Sequence, residues 1–231
     1  MEKGPLMHPY TLTPAVRERA MRVRGKLASE APLLAARTAL LVVDMQDYFV
    51  AEGRPAAVAM ARDIVPTINQ LAAAMRDCGA LVVWIQTTAT GALQRWARHH
   101  ADVLTPERTR SRLAGLDEAG PDFALYADLD PRAADLRLKK IHYSAFIQGS
   151  STLDADLRAR GIDTVLVAGT ATNVCCESTA RDAAMLDYRA VMVSDANAAA
   201  CDAEHRATLD MFVTFFGDVM TADDAVRRLR R

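Results

Sequence analysis

Five strand-like segments recur along the chain, and a helical or loop-rich segment follows each of them. Four are short apolar runs, at 39–43, 81–85, 164–168 and 190–193, and the third in chain order, 136–141, mixes apolar and basic residues; helical patterns cover 60–78, 151–160, 174–187 and 202–216. Continuous apolar runs of this length are typical of strands buried on both faces of a parallel sheet. The alternation therefore predicts a three-layer, Rossmann-like α/β fold: a mainly parallel, doubly wound sheet with helices on both faces.

The length of the chain, 231 residues, suits one α/β domain, which we expect to span 37–231. Residues 1–36 are expected to form an amino-terminal extension, in which Thr13 and Pro14 predict the start of a basic helix. Two interpretations of this helix stay open, an arm packed on the fold or on a neighbouring subunit and a nucleic-acid patch. The acidic residues Glu18 and Glu30 within the segment favour the packed arm.

Composition and charge narrow the classes of function. The 51% hydrophobic and 25% charged residues are typical of a globular protein, and the formal net charge of -1 argues against a dedicated nucleic-acid binder. There is no apolar run long enough for a membrane span, no signal-peptide pattern in the first residues, and no regular spacing among the four cysteines. We expect a cytoplasmic protein that acts on a small molecule and binds neither nucleic acid nor membrane.

Three chemically capable residues follow predicted strands. Asp44 comes directly after the first strand-like segment, Lys140 lies near the end of the third, and Cys175 follows the fourth after a short turn. Because ligands bind beyond the carboxyl ends of parallel strands, these side chains are expected to meet at one edge of the sheet. Cys175 would lie in the first turn of a helix, where free N–H groups stabilise a thiolate. Lys139 is expected on the opposite face of its strand from Lys140, although a register shifted by one residue would exchange the two.

The segments that carry these residues resemble a known family. The sequences VVDMQ at 42–46, KIHYSAF at 140–146 and GTATNVC at 169–175 are similar, in order and spacing, to the motifs of the isochorismatase-like cysteine hydrolase superfamily. The resemblance covers about 38–220, and the third motif with its continuation to 182 is most similar to ureidoacrylate amidohydrolases and related amidases. It implies a catalytic triad of Asp44, Lys140 and Cys175. It also implies a cis peptide bond between Thr170 and Ala171 and an oxyanion hole formed by the backbone N–H groups of Ala171 and Cys175.

The activity implied by this resemblance is hydrolysis of a C–N bond in a small amide, ureido or carbamoyl compound through a thioester on the cysteine. Asp44 would take the thiol proton and return it to the leaving amine, so no metal or organic cofactor is needed. The resemblance also suggests a homodimer or homotetramer. Two alternatives remain: a vinyl-ether hydrolase of the isochorismatase type, whose first motif is similar to 44–49, and a non-catalytic binding protein. The intact Cys175 motif weighs against both.

Weaker candidates for the substrate pocket are polar and aromatic residues that follow strand ends, namely Gln46, Phe49, Gln86, His142 and Tyr143. An amide side chain such as Gln86 could pair with an amide or ureido group, although packing is an alternative for all five. Three more residues, Trp96, His99 and His100, belong either to a substrate lid, to a subunit contact or to a surface helix. Residues 51–62 contain no histidine, unlike metal-binding nicotinamidases of this superfamily, which argues against a metal of that kind.

The remaining polar residues near Cys175 are predicted to be structural. Adjacent helical residues point about 100° apart, so Cys176 is expected in the core rather than beside the substrate. Glu177 and Arg181 are four residues apart and are predicted to form an exposed ion pair. Asp195 is predicted to cap a helix or to stabilise a turn.

Overall fold

The computed structural model describes residues 8–230, in which eight strands and nine α-helices follow one another along the chain. The strands are β1 (Leu33–Leu34), β2 (Thr38–Val43), β3 (Leu81–Thr87), β4 (Leu136–Lys140), β5 (Thr164–Thr170), β6 (Arg189–Ala198), β7 (Asp218–Met220) and β8 (Leu229–Arg230). The helices are α1 (Pro14–Arg24), α2 (Asp47–Val50), α3 (Val65–Cys78), α4 (Ala92–Arg95), α5 (Pro106–Gly115), α6 (Leu153–Ala159), α7 (Glu177–Met185), α8 (Asp202–Phe215) and α9 (Ala222–Arg228).

Six of the strands form one sheet in the order β4-β3-β2-β5-β6-β7, and every neighbouring pair is parallel. The chain moves outward from β2 to β3 and β4, and then continues on the other side of β2 with β5. The strand order therefore reverses between β2 and β5, where ligands bind in open parallel sheets. This architecture confirms the predicted fold class. A separate parallel pair, β1 with β8, joins the amino-terminal segment to the end of the chain.

The sheet is covered by helices on both faces, and β2 shows why its sequence is continuously apolar. Leu40 and Val42 belong to a core that includes α3 and α9, whereas Leu41 and Val43 belong to a second core that includes α6, α7 and α8. All six residues of β2 are buried. Within the described part of the chain, no helix is both long and apolar enough to cross a membrane.

The amino-terminal segment packs on the domain of the same chain. The Thr13 hydroxyl accepts a hydrogen bond from the Val16 N–H at 3.3 Å, which confirms the predicted N-cap of α1. Helix α1 packs against α8 and buries Ala20 completely. Arg24 ends the helix and forms an ion pair of 2.6 Å with the buried carboxylate of Asp218. The boundary between 36 and 37 remains a prediction, and residues 1–7 lie outside the described residues.

Two element boundaries differ from the sequence pattern. Helix α3 begins at Val65 rather than near 60, since Pro66 lacks an N–H group and is tolerated only in a first turn. Strand β6 continues beyond the predicted 190–193 to Ala198, because a register shift against β5 lets the two strands pair again further along. The helix predicted over 202–216 begins at Asp202 as α8, and the Asp202 carboxylate contacts the His8 ring.

Candidate active site

The ends of β2 and β5 approach each other closely where the strand order reverses. Gly169 has a φ of +119°, and a Cβ atom there would lie 2.1 Å from the Val43 carbonyl oxygen, so only glycine permits this approach. Asp44 follows β2 with a φ of +55°, a left-handed conformation that is uncommon outside glycine. Its N–H donates to the Ile85 carbonyl oxygen at 2.9 Å, which keeps Asp44 attached to the sheet.

Four side chains meet beside this reversal point. The Lys140 ammonium donates to Asp44 Oδ2 at 2.9 Å and to Thr87 Oγ1 at 2.7 Å, and it lies 3.4 Å from Cys175 Sγ. The Thr87 hydroxyl in turn donates to Asp44 Oδ1 at 2.7 Å. We call Asp44, Thr87, Lys140 and Cys175 the buried centre, because the first three are completely buried and Cys175 is 6% exposed. The structure therefore brings the three predicted catalytic side chains together.

Thr87 was not among the predicted site residues, although the sheet explains its position. It is the last residue of β3 and lies opposite Lys140 in the register of β3 with β4. A hydroxyl at this point accepts from the ammonium and donates to the carboxylate, so it links both charged groups. Its position two residues after the second apolar run was the available signal.

Cys175 lies in a π-helical turn, Thr172–Cys176, which continues into α7. The peptide bond between Thr170 and Ala171, just before this turn, is cis, as the resemblance implied. Cys176 is completely buried in the core, which confirms the structural role predicted for it. The Thr172 hydroxyl lies 2.9 Å from Nδ1 of the buried His205 of α8, so the start of the turn is fixed by a hydrogen bond.

The electrostatics of the buried centre favour a protonated sulfur. Burial raises the pKa of the Cys175 thiol to about 12, and the Asp44 carboxylate raises it further, while the positive charges of Lys140 and Arg112 oppose the rise. The prediction that the helix start stabilises a thiolate in the free protein is therefore wrong, because burial and Asp44 dominate. Burial also disfavours the Lys140 ammonium, but Asp44 and Cys175 outweigh it and raise the Lys140 pKa. The centre thus holds a thiol, a carboxylate and an ammonium.

A cavity of about 460 Å³ opens beside the buried centre. Its lining includes Tyr48, His99, Arg112 and Tyr143. Tyr143 follows Lys140 by three residues, which places this part of the lining near the buried centre, although none of the four residues of the buried centre lines the cavity. We call His99, Arg112 and Tyr143 the cavity wall. A volume of this size suits a small organic ligand.

Aromatic contacts hold the cavity wall in place. The Trp96 ring stacks on His99 with centroids 3.9 Å apart, and the Tyr143 hydroxyl lies 3.3 Å from His99 Nε2. Burial, with Arg112 and His100 nearby, lowers the His99 pKa from 6.5 to about 4. His100 is buried next to this stack, with Nδ1 3.0 Å from the Trp96 carbonyl oxygen. Of Trp96, His99 and His100, only His99 is among the residues that line the cavity, and the rings of Trp96 and His100 pack against it.

Of the weaker pocket candidates, one lines the cavity and others hold a loop or pack against the core. Tyr143 lines the cavity. Gln46 and Gln86 both donate their amide groups to the Phe123 carbonyl oxygen, at 3.0 and 2.8 Å, so these amides hold a loop. Phe49 packs against the core that includes α3, which favours the packing alternative for this side chain.

His142 contributes to the buried centre through its backbone rather than its ring. Its carbonyl oxygen accepts a hydrogen bond from Lys140 Nζ at 3.1 Å. Its ring packs at a tilt against Trp96, and Nε2 lies 3.3 Å from the Arg95 carbonyl oxygen.

The polar residues that were predicted to have structural roles do have them in the structure, with one correction. Lys139 is exposed and pairs with Glu118, while its neighbour Lys140 is buried, so the predicted strand faces are confirmed. Asp195 Oδ1 accepts from the N–H of Ala222, the first residue of α9, at 2.7 Å, which confirms a capping role.

Glu177 and Arg181 form the predicted ion pair, but both residues are half-buried rather than fully exposed. Thr208 of α8 donates to the Glu177 carboxylate at 3.0 Å, and the Arg181 guanidinium lies over the Phe216 ring. The packing of α8 and the chain after it against α7 covers both side chains. Among residues 8–230, no group of three or more His, Cys, Asp or Glu side chains is arranged to hold a metal ion.

Comparison with known proteins relates this chain to one family over most of its length. The isochorismatase domain family matches residues 38–224. A ureidoacrylate amidohydrolase from Variovorax paradoxus is 38% identical over 211 residues, which cover 84% of this chain and 82% of that protein. A ureidoacrylate amidohydrolase from Stutzerimonas stutzeri is 36% identical over 203 residues, 82% of this chain and 81% of that one.

Solved structures agree with this relationship. A cysteine hydrolase from Pseudomonas syringae pv. phaseolicola superposes with a TM-score of 0.77 at 31% identity, covering 88% of this chain and 97% of that one. An N-carbamoylsarcosine amidase from Thermoplasma acidophilum gives a TM-score of 0.63 at 28% identity, covering 81% and 97%. Together with the curated relatives, these comparisons confirm the prediction of a hydrolase of carbon–nitrogen bonds. With a match that spans the sheet and every residue of the buried centre, the chain belongs to the isochorismatase family.

Proposed function

We propose that this protein hydrolyses a C–N bond of a small amide, ureido or carbamoyl compound with Cys175 as nucleophile and Asp44 and Lys140 as its catalytic partners. The observation that carries the proposal is the position of the Lys140 ammonium, which contacts both the Asp44 carboxylate and the Cys175 sulfur in a buried site. A base, a cation and a thiol in mutual contact are the groups that nucleophilic catalysis by cysteine requires.

In the first step, the sulfur attacks the substrate carbonyl carbon while its proton passes to the Asp44 carboxylate. The raised pKa of the thiol means that the proton leaves only as the new C–S bond forms, so a general base in contact is needed. The Lys140 ammonium offsets negative charge on sulfur during this transfer. The oxyanion of the tetrahedral intermediate is assigned to the backbone N–H groups of Ala171 and Cys175, as the family resemblance implies.

In the second step, the intermediate collapses and the C–N bond breaks. The protonated Asp44 returns its proton to the leaving nitrogen, so a neutral amine or ammonia departs and a thioester or thiocarbamate remains on Cys175. Water then attacks this carbonyl carbon while Asp44 accepts its proton. The C–S bond breaks, sulfur regains a proton, and the acid product leaves.

The adjacent cysteines provide a matched test of the nucleophile. Cys175→Ala should abolish release of amine or ammonia from a panel of ureido, carbamoyl and amide compounds, beginning with ureidoacrylate, on which the curated relatives act by name. Cys176→Ala removes a buried sulfur of the same size from the core and should keep most of the activity. Mass spectrometry of the wild-type protein during turnover should show an acyl or carbamoyl adduct on Cys175.

Other outcomes would redirect the assignment. Equal activity in Cys175→Ala and wild type would exclude the cysteine mechanism and favour the vinyl-ether reaction. Binding without turnover across the whole panel would favour a non-catalytic protein.

We further propose that the enzyme works in the cytoplasm as a homodimer or homotetramer. The four cysteines are all free, which suits a reducing compartment. Apolar side chains of Ile147, Met185 and Leu186 are exposed around a shallow groove, a surface that a second copy could cover. Light scattering on the purified protein measures the oligomeric state.

A further inference from the structure

The first described residues of the chain pack on His205, a buried residue of α8. We call residues 8–10 the amino-terminal strap. The His8 ring is itself buried and stacks on the His205 ring, with centroids 4.7 Å apart and an angle of 24° between the planes. The Tyr10 ring meets His205 edge to face, with centroids 6.4 Å apart. The strap is thus part of the packed structure, although it precedes the domain in the sequence.

Polar contacts hold the His8 ring in one orientation. Its Nδ1 lies 2.5 Å from Asp202 Oδ1 and donates to that carboxylate. Its Nε2 lies 3.1 Å from both the backbone nitrogen and the carbonyl oxygen of Ala199. The neutral ring can accept from the Ala199 N–H and the charged ring can donate to the Ala199 carbonyl oxygen, so both forms keep a partner. One side chain therefore ties the strap to the start of α8 and to the residue after β6.

One route from the strap to the active site runs through His205. Its Nδ1 lies 2.9 Å from the Thr172 hydroxyl oxygen, and both residues are completely buried. Thr172 is the first residue of the turn that carries Cys175. Because buried side chains are close-packed, a ring that loses its stacking partner gains room to move. The position of this turn therefore depends on the His8 ring.

A second route runs through the backbone at the end of β6. Ala199, which contacts His8, directly follows Ala198, the last residue of the strand. Ala198 pairs with Thr170 in the register of β5 with β6, and the Thr170 hydroxyl donates to its carbonyl oxygen at 3.3 Å. Thr170 directly precedes Ala171, whose backbone N–H is assigned to the oxyanion hole. The two routes thus reach the segment of the oxyanion hole and the nucleophile from both ends.

We infer that His8 is a positioning residue, which fixes the backbone of residues 170–175 through His205 and Ala199 and so holds the nucleophile and the oxyanion hole in place. The inference rests on the proposed function and deepens it. It extends the support of the active site to a strap outside residues 38–224, which the isochorismatase domain family matches. A displacement of about 1 Å in a catalytic group can cost roughly a hundredfold in rate, so loss of the support should lower kcat.

The kinetics of His8→Ala test this inference. For a ureido or carbamoyl compound that the wild-type protein turns over, kcat should fall by about 10- to 100-fold, with KM within about threefold. His8→Phe keeps a ring beside His205 and removes the hydrogen bonds, so it should fold like the wild-type protein and lower kcat by about 5- to 20-fold.

Thr13→Ala is the matched control in the same segment. It removes the N-cap of α1 and weakens a helix that packs on α8, and it should keep the wild-type kcat. Wild-type kcat in both His8 variants overturns the inference. A loss of kcat in Thr13→Ala as large as that in His8→Ala also overturns it, because the effect would then follow stability alone.

Alkylation of the free protein by iodoacetamide tests His8 without turnover. Burial is the main cause of the raised Cys175 pKa, so a loosened turn should expose the sulfur and lower that pKa. In His8→Ala the rate of Cys175 alkylation, measured by mass spectrometry, should rise by about fivefold or more. Cys78 packs against the core on the other face of the sheet and is the internal reference, whose rate should stay unchanged.

The outcomes of this measurement separate the two proposals. Equal Cys175 rates in His8→Ala and in the wild-type protein contradict the positioning role. Equal acceleration of Cys175 and Cys78 contradicts it as well, since global unfolding would expose both. Absence of turnover and of a Cys175 adduct in the wild-type protein contradicts the proposed function instead, so the two failures are distinguishable.

Discussion

The buried centre and the cavity wall are neighbours, yet they are built in opposite ways. Asp44, Thr87 and Lys140 end or follow three parallel strands, and every charged group among them has a partner within 3 Å. Arg112 and His99 come from the irregular segment between β3 and β4, and the Arg112 guanidinium lies over the Trp96 ring, 5.8 Å from its centroid. Under the proposed function, the reaction itself would depend on residues that the sheet positions, and the choice of substrate would depend on the loop-rich segment between β3 and β4. Changes in the centre should lower kcat, and changes in the wall should alter KM.

Lys140→Met is expected to have the largest effect. It leaves the Asp44 carboxylate buried without its cation, which should destabilise the fold by about 3 to 5 kcal/mol. It should also lower kcat by more than about a thousandfold, since the members of such a catalytic unit act together. Denaturant unfolding and steady-state kinetics on the same preparation measure both effects.

Lys139→Met provides the matched control on the adjacent residue. Lys139 is exposed and pairs with Glu118, so its loss should change stability by less than about 1 kcal/mol and leave kcat near the wild-type value. Comparable losses in the two variants would mean that the contrast between the strand faces has no functional meaning.

An intermediate effect is expected from His205, which fixes the start of the turn that carries Cys175. Burial and the adjacent His8 lower the His205 pKa from 6.5 to about 4, against an opposing effect of Asp202. Between these pH values the unfolded chain binds a proton that the folded protein does not, so the free energy of unfolding falls as the pH falls. The expected loss from pH 7 to pH 4.5 is roughly 2 to 3 kcal/mol.

His205→Asn removes this titrating group and keeps a polar atom near Thr172. Its unfolding free energy should therefore decrease less between the two pH values than that of the wild-type protein, as measured by chemical denaturation. Other titrating residues are common to both proteins and cancel in the difference. Identical pH dependence in the two proteins would show that His205 is protonated as readily in the fold as in the unfolded chain.

Tyr143→Phe is expected to have the smallest effect and probes the cavity wall. It removes the hydroxyl that lies 3.3 Å from His99 Nε2 but keeps the ring. KM should rise by about two- to fivefold with kcat within about threefold, the size of one neutral hydrogen bond at a binding surface. A loss of kcat as large as that of Lys140→Met would instead place Tyr143 functionally with the buried centre.

The sequence alone determined the sheet and the meeting of Asp44, Lys140 and Cys175. Buried parallel strands leave a continuous apolar signature, and their carboxyl ends meet at one edge whatever the connecting segments do. The residue that follows each run could therefore be assigned to the site. Thr87 lies at an equivalent strand end, but the sequence assigned it no role, because a threonine carries no charge that marks it as reactive.

The tertiary structure alone decided what surrounds these residues. Arg112 and His99 lie in a segment with no strand period, so only the folded chain shows which of its many polar side chains face the cavity. Gln46 and Gln86 also follow strands in the sequence, but in the folded protein their side-chain amides donate hydrogen bonds to the Phe123 carbonyl oxygen. The protonation of Cys175 likewise could not be predicted from the sequence. A pKa depends on burial and on charges that are distant in sequence and near only in space.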